Sequence, residues 1–289
     1  MGAVLSTRNQ AQPGNELREF HYTQADFERV RKLLYARAGI SLSETKDQMV
    51  YSRLARRLRA LGLTRFDEYF AHLQQHDEEW QQFINALTTN LTAFFREAHH
   101  FQMLETHIRS LNLRDRPLRI WCSAASTGEE PYSIAMSVMK AMGSLTPKAE
   151  IIASDIDTSV LTTGKAGIYQ ESKVAGLDTQ LLQRFFLRGK GPQRGRVKVR
   201  QELQALIDFR QINLLDEQWD IPGGLDVIFC RNVMIYFDKP TQTHLLERMV
   251  RLLRPDGLFF AGHSESFVQA TSIVKLVERT VYRPVFRGH

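Results

Sequence analysis

From residue 23 to residue 88 the apolar positions recur every three or four residues and never in strict alternation, a spacing that predicts helices only. "TQADFERVRKLLYARAG" begins at a Thr or Asp cap and stops at Gly39. "SETKDQMVYSRLARRLRALG" carries Val50, Leu54, Leu58 and Leu61 on one face and stops at Gly62. "TRFDEYFAHLQQH" and "EEWQQFINALTTN" follow the same rule, so four short helices are expected to make a small all-helical N-terminal domain over 21–88. Residues 1–20 are expected to be a disordered tail and residues 89–117 a linker.

From Leu118 the pattern changes to apolar runs of four or five residues separated by amphipathic stretches. "LRIWCSA", "EIIASDID", "LIDFRQINL", "LDVIFCRNVMIYF" and "GLFFAGHSE" read as strands, and "SIVKLVERTVYRPVF" as a terminal hairpin. Pro131–Met142, Ser159–Gly167 and "KPTQTHLLERMVRLL" read as the intervening helices. Such alternation predicts a parallel sheet covered on both faces, an α/β fold over 118–289. "FFLRGKGPQRGRVKVRQEL" breaks the alternation with a Gly/Pro turn between two short strand-like runs, and predicts a small antiparallel β insert at about 180–204.

Composition changes this picture little: 289 residues, 43% hydrophobic and 24% charged, suit one large or two ordinary globular domains. No run approaches the ~20 apolar residues of a membrane span. The opening MGAVLS fits a myristoylation pattern, but it is short, and no signal peptide is expected. Two cysteines, Cys122 and Cys230, exclude a disulfide scaffold and a Cys-based zinc site and suit a reducing cytoplasm. His99–His100 lacks a metal-ligand pattern, so no metal is expected. Charge adds more. The net charge is +6, with ten Lys/Arg against two acids over 29–65 and seven against none over 184–200, which points to acidic partners.

In open α/β sheets ligands bind beyond the carboxyl ends of the strands. Here those ends are Ser123–Glu130, Asp155 with Asp157, Asn213–Leu214, Cys230–Arg231–Asn232 and Gly262–Glu265. "WCSAASTGEEPYSIA" has the shape of a phosphate-binding strand–loop–helix, yet it has one glycine and places Glu129 and Glu130 at the helix start. Asp155 suits the two hydroxyls of a ribose, and an Asn after the third strand suits an adenine edge. Two acids beside the first loop favour a cation over a pyrophosphate. Together these describe S-adenosylmethionine and a Rossmann-like class I methyltransferase sheet.

Five stretches, "TTNLTAFFRE" (88–97), "STGEEPYSIA" (126–135), "ASDID" (153–157), "FCRNVMIYF" (229–237) and "LFFAGHSE" (258–265), resemble the chemotaxis receptor methyltransferase family, CheR, and the likeness runs from residue 22 onward. Many members have Gly-Cys where this chain has Ala124–Ala125. The resemblance implies methyl transfer from S-adenosylmethionine to glutamate side chains of bacterial chemoreceptors, giving glutamyl methyl esters and S-adenosylhomocysteine in sensory adaptation. It carries cofactor binding onto Asn90, Thr92, Arg96, Glu130, Asp155, Asn213, Leu214, Arg231 and Asn232, with either Glu129 or Glu130 as the main acidic contact. Arg96 and Tyr236 are the expected catalytic positioners: a guanidinium fork for a carboxylate, and one hydroxyl donor. His263 is expected to be structural, because a glutamate is already ionised at pH 7.

Two basic surfaces suit docking on the receptor's acidic helical bundle. Arg53, Arg56, Arg57 and Arg59 lie on the arc opposite the apolar face of the second helix. The insert resembles the family's subset that docks on a peptide at the receptor C-terminus, through Arg188, Gly189, Gly191 and Gly195. The expected protein is a cytoplasmic monomer recruited to receptor arrays, with no membrane insertion and no nucleic-acid partner. The rivals are a nucleic-acid methyltransferase and a non-catalytic S-adenosylmethionine sensor. Against the first, Arg231–Asn232–Val233–Met234 stands where an Asn/Asp-Pro-Pro-aromatic motif is expected. Against the second, the chain keeps Arg96, Tyr236 and the whole strand-end set.

Overall fold

The computed structural model describes residues 18–286, so the myristoylation-like start and most of the expected tail lie outside the described residues. Residues 18–20, expected in the tail, are packed: Phe20 is buried and Arg18 pairs with Asp47 at 2.7 Å. The chain divides into two compact units. The first takes its described part from residues 18–32 and 43–87, the second from 33–42 and 88–286.

Four helices appear where the spacing placed them: α1 (Gln24–Ala38), α2 (Asp47–Leu61), α3 (Phe66–Gln75) and α4 (Asp77–Leu87). At the start of α1, Thr23 and Asp26 cap each other reciprocally, Asp26 N–H to the Thr23 hydroxyl and Thr23 N–H to the Asp26 carboxylate. Gly62, in the left-handed region, closes α2. Phe27, Val30, Leu54, Leu58, Phe66, Tyr69, Phe70 and Phe83 are each at most 1% exposed and form the core of this unit.

In the second unit the expected linker contains a helix, α5 (His99–Ser110), that buries His100, Phe101, Leu104, His107 and Ile108. Then follow β1 (Leu118–Cys122), α6 (Glu129–Met142), β2 (Ala149–Asp155), α7 (Thr158–Ala166), β3 (Ile168–Gln170), α8 (Glu171–Val174), α9 (Thr179–Phe185), β4 (Phe186–Arg188), β5 (Arg196–Val199), α10 (Gln201–Gln204), β6 (Ile207–Gln211), β7 (Leu225–Cys230), α11 (Lys239–Val250), β8 (Leu253–Ala261), β9 (Val274–Glu278) and β10 (Val281–Pro284).

The main sheet has seven strands in the order β6-β2-β1-β7-β8-β10-β9. Its first five run parallel, and the β9–β10 hairpin adds antiparallel strands at one edge. This is the Rossmann-like architecture expected. The order reverses between β1 and β7, which sets the binding crevice at their carboxyl ends, where Cys122 pairs with Phe229. Every residue of β7 is buried, as a central parallel strand covered on both faces requires. The small sheet is separate, in the order β3-β5-β4. It begins at Ile168, earlier than the expected 180, because a three-residue strand follows directly on the left-handed Gly167. Among the described residues no helix is long and apolar enough to cross a membrane.

Candidate cofactor and active site

β1 delivers the chain into the loop Ser123–Gly128, which the sheet holds by backbone bonds. Ser123 N–H donates to the Phe229 carbonyl (2.9 Å) and Ala125 N–H to that of Ser154 (2.8 Å). Ser126 N–H donates to Asp155 Oδ2 (2.8 Å). The lone glycine is placed by need: Gly128 has φ +96°, and a Cβ there would lie 2.7 Å from the Tyr169 hydroxyl and 2.9 Å from Gly164 Cα. Neither Ala124 nor Ala125 has a positive φ, so alanine in place of Gly-Cys costs no backbone strain.

At the end of β2 the Asp155 carboxylate also accepts the Asp157 N–H (3.0 Å). Burial pushes its pKa up to about 6, against the pull of those backbone donors. Asp157 is itself 1% exposed and fully used. Its Oδ1 caps α7 through Ser159 and Val160 N–H, while Oδ2 accepts Thr88 Oγ1 (2.8 Å) and Asn90 Nδ2 (2.7 Å). The Asn90 carbonyl in turn accepts the Ser126 hydroxyl (3.1 Å). The expected cofactor residue Asn90 is thus tied by its side chain to the second strand end and by its backbone to the first loop.

A buried ionic cluster spans the crevice. Arg231, 3% exposed, donates to Glu130 Oε2 (2.6 Å) and to the Arg96 carbonyl (2.6 Å), and pairs with Glu97 at 3.2 Å. Glu130 Oε1 accepts from Cys122 Sγ (3.4 Å). Burial pushes the Glu130 carboxyl up, against the pull of Arg231. For Glu97, burial raises the carboxyl but Arg231, the His263 N–H and His100 outweigh it and hold it below the usual range. Glu129 faces elsewhere, to Thr127 Oγ1 (2.6 Å) and Lys173 Nζ (3.3 Å). Of the two acids in question, Glu130 is the one set among the strand ends.

Asn232 (φ +59°) follows Arg231, and its N–H, with those of Gly262 and Met234, is held by the Glu265 carboxylate. Four of the five non-glycine residues with positive φ among the described residues, Phe95, Glu97, Ser126 and Asn232, fall in these site segments, as strained backbone tends to.

The other expected residues divide. Arg96 joins the cluster by its carbonyl, while its own guanidinium donates to the Leu91 carbonyl (2.9 Å). Asn213 donates Nδ2 to the Arg37 carbonyl (2.9 Å) and accepts Leu215 N–H, so its side chain is engaged in holding the 33–42 segment. Leu214 is buried and Thr92 half-buried. Tyr236 is half-buried, its carbonyl accepting Ser41 N–H (2.9 Å). Three roles were not read from sequence: Asp157 as a tether, Glu97 as a partner of Arg231, and Glu265 as a clamp on Asn232. The only sequence signal was position, since each lies at a strand end or in a quoted block.

The docking arc needs correction. Arg57 does not face solvent alone: it forms a two-bond fork on Glu79 (2.9 and 2.6 Å), which is 4% exposed and also accepts the Tyr69 hydroxyl. Arg53 donates to the Ala86 carbonyl, Arg59 pairs with Glu19, and Arg56 is exposed. In the small sheet Arg188 lies on the edge strand β4 and pairs with Glu171 at 2.7 Å. Gly191 and Gly195 have positive φ, and a Cβ at Gly189 would strike the Gln193 carbonyl, so these glycines are turn residues.

Glu97 and Glu130 against Arg231, with Asp155 nearby in the loop network, leave an excess of negative charge at the strand ends. That donor set fits an adenosine bearing a positive group and opposes a phosphate. Among the described residues no group of three or more His, Cys, Asp or Glu could hold a metal ion.

Comparison with known proteins agrees with this geometry. Residues 25–88 match the all-alpha domain of CheR methyltransferases, and residues 90–283 match their S-adenosylmethionine-binding domain. The chain is 60% identical over 271 residues to chemotaxis protein methyltransferase 2 of Pseudomonas aeruginosa, covering 94% of this chain and 96% of that one. It is 54% identical over 262 residues to the chemotaxis protein methyltransferase of Salmonella typhimurium, covering 90% of each. With that of Escherichia coli the identity is 53%, covering 90% of this chain and 91% of that one. The helical unit, the seven-stranded sheet and the acidic strand-end site therefore belong to a member of the CheR methyltransferase family, an S-adenosylmethionine-dependent methyltransferase.

Proposed function

We propose that this enzyme methylates glutamate side-chain carboxylates of bacterial chemoreceptors, giving glutamyl methyl esters and S-adenosylhomocysteine, and so serves sensory adaptation in chemotaxis. The observation that carries this reading is the 60% identity, over 94% of the chain, to a chemotaxis protein methyltransferase. S-adenosylmethionine supplies a methyl group on a positively charged sulfur. Asp155, Glu130, the backbone around Arg231–Asn232 and the loop Ser123–Gly128 would hold it, with Asn90, Thr92, Asn213 and Leu214 lining the site.

The target carboxylate is ionised at pH 7, so the site needs no general base. Burial pushes His100 down to about 3, so its imidazole is a weak proton acceptor. Transfer would join a carboxylate oxygen to the methyl carbon as the carbon–sulfur bond gives its electron pair to sulfur, so that an anion and a cation would become two neutral products. Charge shrinks along the reaction, so excluding water favours it. What remains is placement. Arg96, anchored through its carbonyl to Arg231, orients the carboxylate, and Tyr236 donates one hydrogen bond.

Receptor capture rests on the two basic surfaces. Arg56 and Arg59, with Arg53, offer salt-sensitive steering toward an acidic helical bundle. The exposed edge of β4, with Arg188, offers strand addition to a receptor's C-terminal peptide, which would recruit the enzyme to receptor arrays and raise its local concentration. The test is transfer of labelled methyl from S-adenosylmethionine to a receptor cytoplasmic fragment, with transfer RNA in parallel. Label on the receptor alone supports the reading, and label on RNA alone refutes it. The basic charge alone would also suit a nucleic-acid methyltransferase, and the chemotaxis relatives do not favour it.

A further inference from the structure

The cofactor loop is held from two sides, and only one of them is the main sheet. The other is the segment that opens the small sheet. Tyr169, the middle residue of β3, donates its hydroxyl to the Thr127 carbonyl at 2.7 Å. Four residues on, Lys173 in α8 reaches Glu129 Oε1 at 3.3 Å, and the other oxygen of Glu129 accepts the Thr127 hydroxyl at 2.6 Å. Both contacts end on Thr127 or on the residue whose carboxylate grips it. Thr127 sits between Ser126, whose N–H is bonded to Asp155, and Gly128, which opens α6.

Three further facts make Tyr169 more than packing. It is 5% exposed, so its hydroxyl has no water to fall back on. Burial and the charge of Glu129 push its phenol well above the usual range, so it stays a donor at all physiological pH. The lone glycine of the loop fits against it: beyond the φ of +96° at Gly128, a Cβ there would lie 2.7 Å from this hydroxyl and 2.9 Å from Gly164 Cα. Its ring also meets Phe94 edge-on (centroids 5.1 Å), and Phe94 meets Phe186 of β4 in the same way (5.5 Å). Phe94 belongs to the segment that carries Asn90, Thr92 and Arg96. The small sheet therefore supports both the cofactor loop and the segment beside it.

We propose that Tyr169 and Lys173 are positioning residues for S-adenosylmethionine, fixing the Thr127–Gly128 peptide and with it the Ser126 N–H on Asp155. The small sheet is then part of the active-site scaffold as well as a docking surface. The inference rests on the family's S-adenosylmethionine-binding site alone. Its failure would leave the receptor-glutamate reading untouched, because the test needs no receptor.

The test is calorimetric titration of the full chain with S-adenosylhomocysteine. Tyr169→Phe keeps the ring contacts with Phe94 and removes only the hydroxyl. One net hydrogen bond corresponds to a loss of affinity of about fivefold. Lys173→Gln, at a half-exposed ion pair, should weaken binding about twofold at low salt and less at high salt. In methyl-transfer assays the KM for S-adenosylmethionine should rise by more than kcat falls. A merely structural tyrosine would instead lower the ligand-free melting temperature and leave affinity within twofold of the parent, and that result would overturn the proposal. Should Tyr169→Phe fail to fold, Lys173→Gln decides: binding that is unchanged at low salt overturns the proposal.

Discussion

Lowering the pH should weaken cofactor binding through Asp155, and the structure sets the size of the effect. Its carboxylate is buried, and the raised pKa of about 6 leaves it almost fully ionised at pH 7.5. In the proposed role a ribose hydroxyl would donate to the ionised form, so the apparent dissociation constant would scale inversely with the ionised fraction. At pH 5 that fraction is roughly one in ten, and affinity for S-adenosylhomocysteine should fall about tenfold, or ~1.4 kcal/mol. Near pH 6 binding should release about half a proton, visible as a dependence of the calorimetric heat on the buffer's own ionisation heat. Stability moves in the opposite direction. Because the folded-state value is raised from 3.8, the folded chain binds the extra proton between pH 3.8 and about 6, so this residue's contribution to stability rises as pH falls through that window. Loss of affinity at low pH therefore cannot be assigned to unfolding at this site. Asp155→Asn should bind weakly at every pH and show no dependence in this range. Equal affinity of the parent at pH 7.5 and pH 5, or an unchanged slope in Asp155→Asn, would exclude Asp155 as the titrating contact.

Arg57→Ala should destabilise the helical unit by about 3 kcal/mol, because it strands the buried Glu79 with a single phenol donor; thermal unfolding measures this, and Glu79→Gln in the same chain should recover part of the loss. Asp157→Asn turns an amide toward the Thr88 and Asn90 donors, and should lower kcat/KM about tenfold or more with a smaller loss of melting temperature; initial rates and thermal unfolding together check the ratio. Arg188→Glu should weaken binding of a receptor C-terminal peptide severalfold in fluorescence titration while leaving S-adenosylhomocysteine affinity intact.

The first four helices and the five parallel strands were legible because their apolar residues recur at the period of the element, even where α4 buries one acid, Glu79. α5 was not, since buried His100 and His107 interrupt its apolar repeat and no capping side chain marks its start. β3 escaped notice because three residues are too few to show a period of two. At the site, Asp155 and the Glu129–Glu130 pair could be reached from their places after a strand and at a helix start, but not which of the two glutamates joins Arg231. What could not be reached was where a long side chain ends. Arg57 and Arg56 are neighbours in sequence, yet one grips a buried carboxylate and the other meets solvent. Arg231 was read as a ligand contact, and its two terminal nitrogens meet Glu130, Glu97 and the Arg96 carbonyl, pairings that its position did not announce. Such pairings depend on tertiary proximity across 22 to 135 residues of chain, which local pattern does not encode.

The chemical identity of the product decides what this enzyme does. Mass spectrometry of a receptor cytoplasmic fragment after incubation with the enzyme and S-adenosylmethionine tests it most directly. The expected result is the mass of one added methylene unit on glutamate side chains, removed by mild base with release of methanol. A base-stable methyl group on lysine, arginine or any other residue would contradict it.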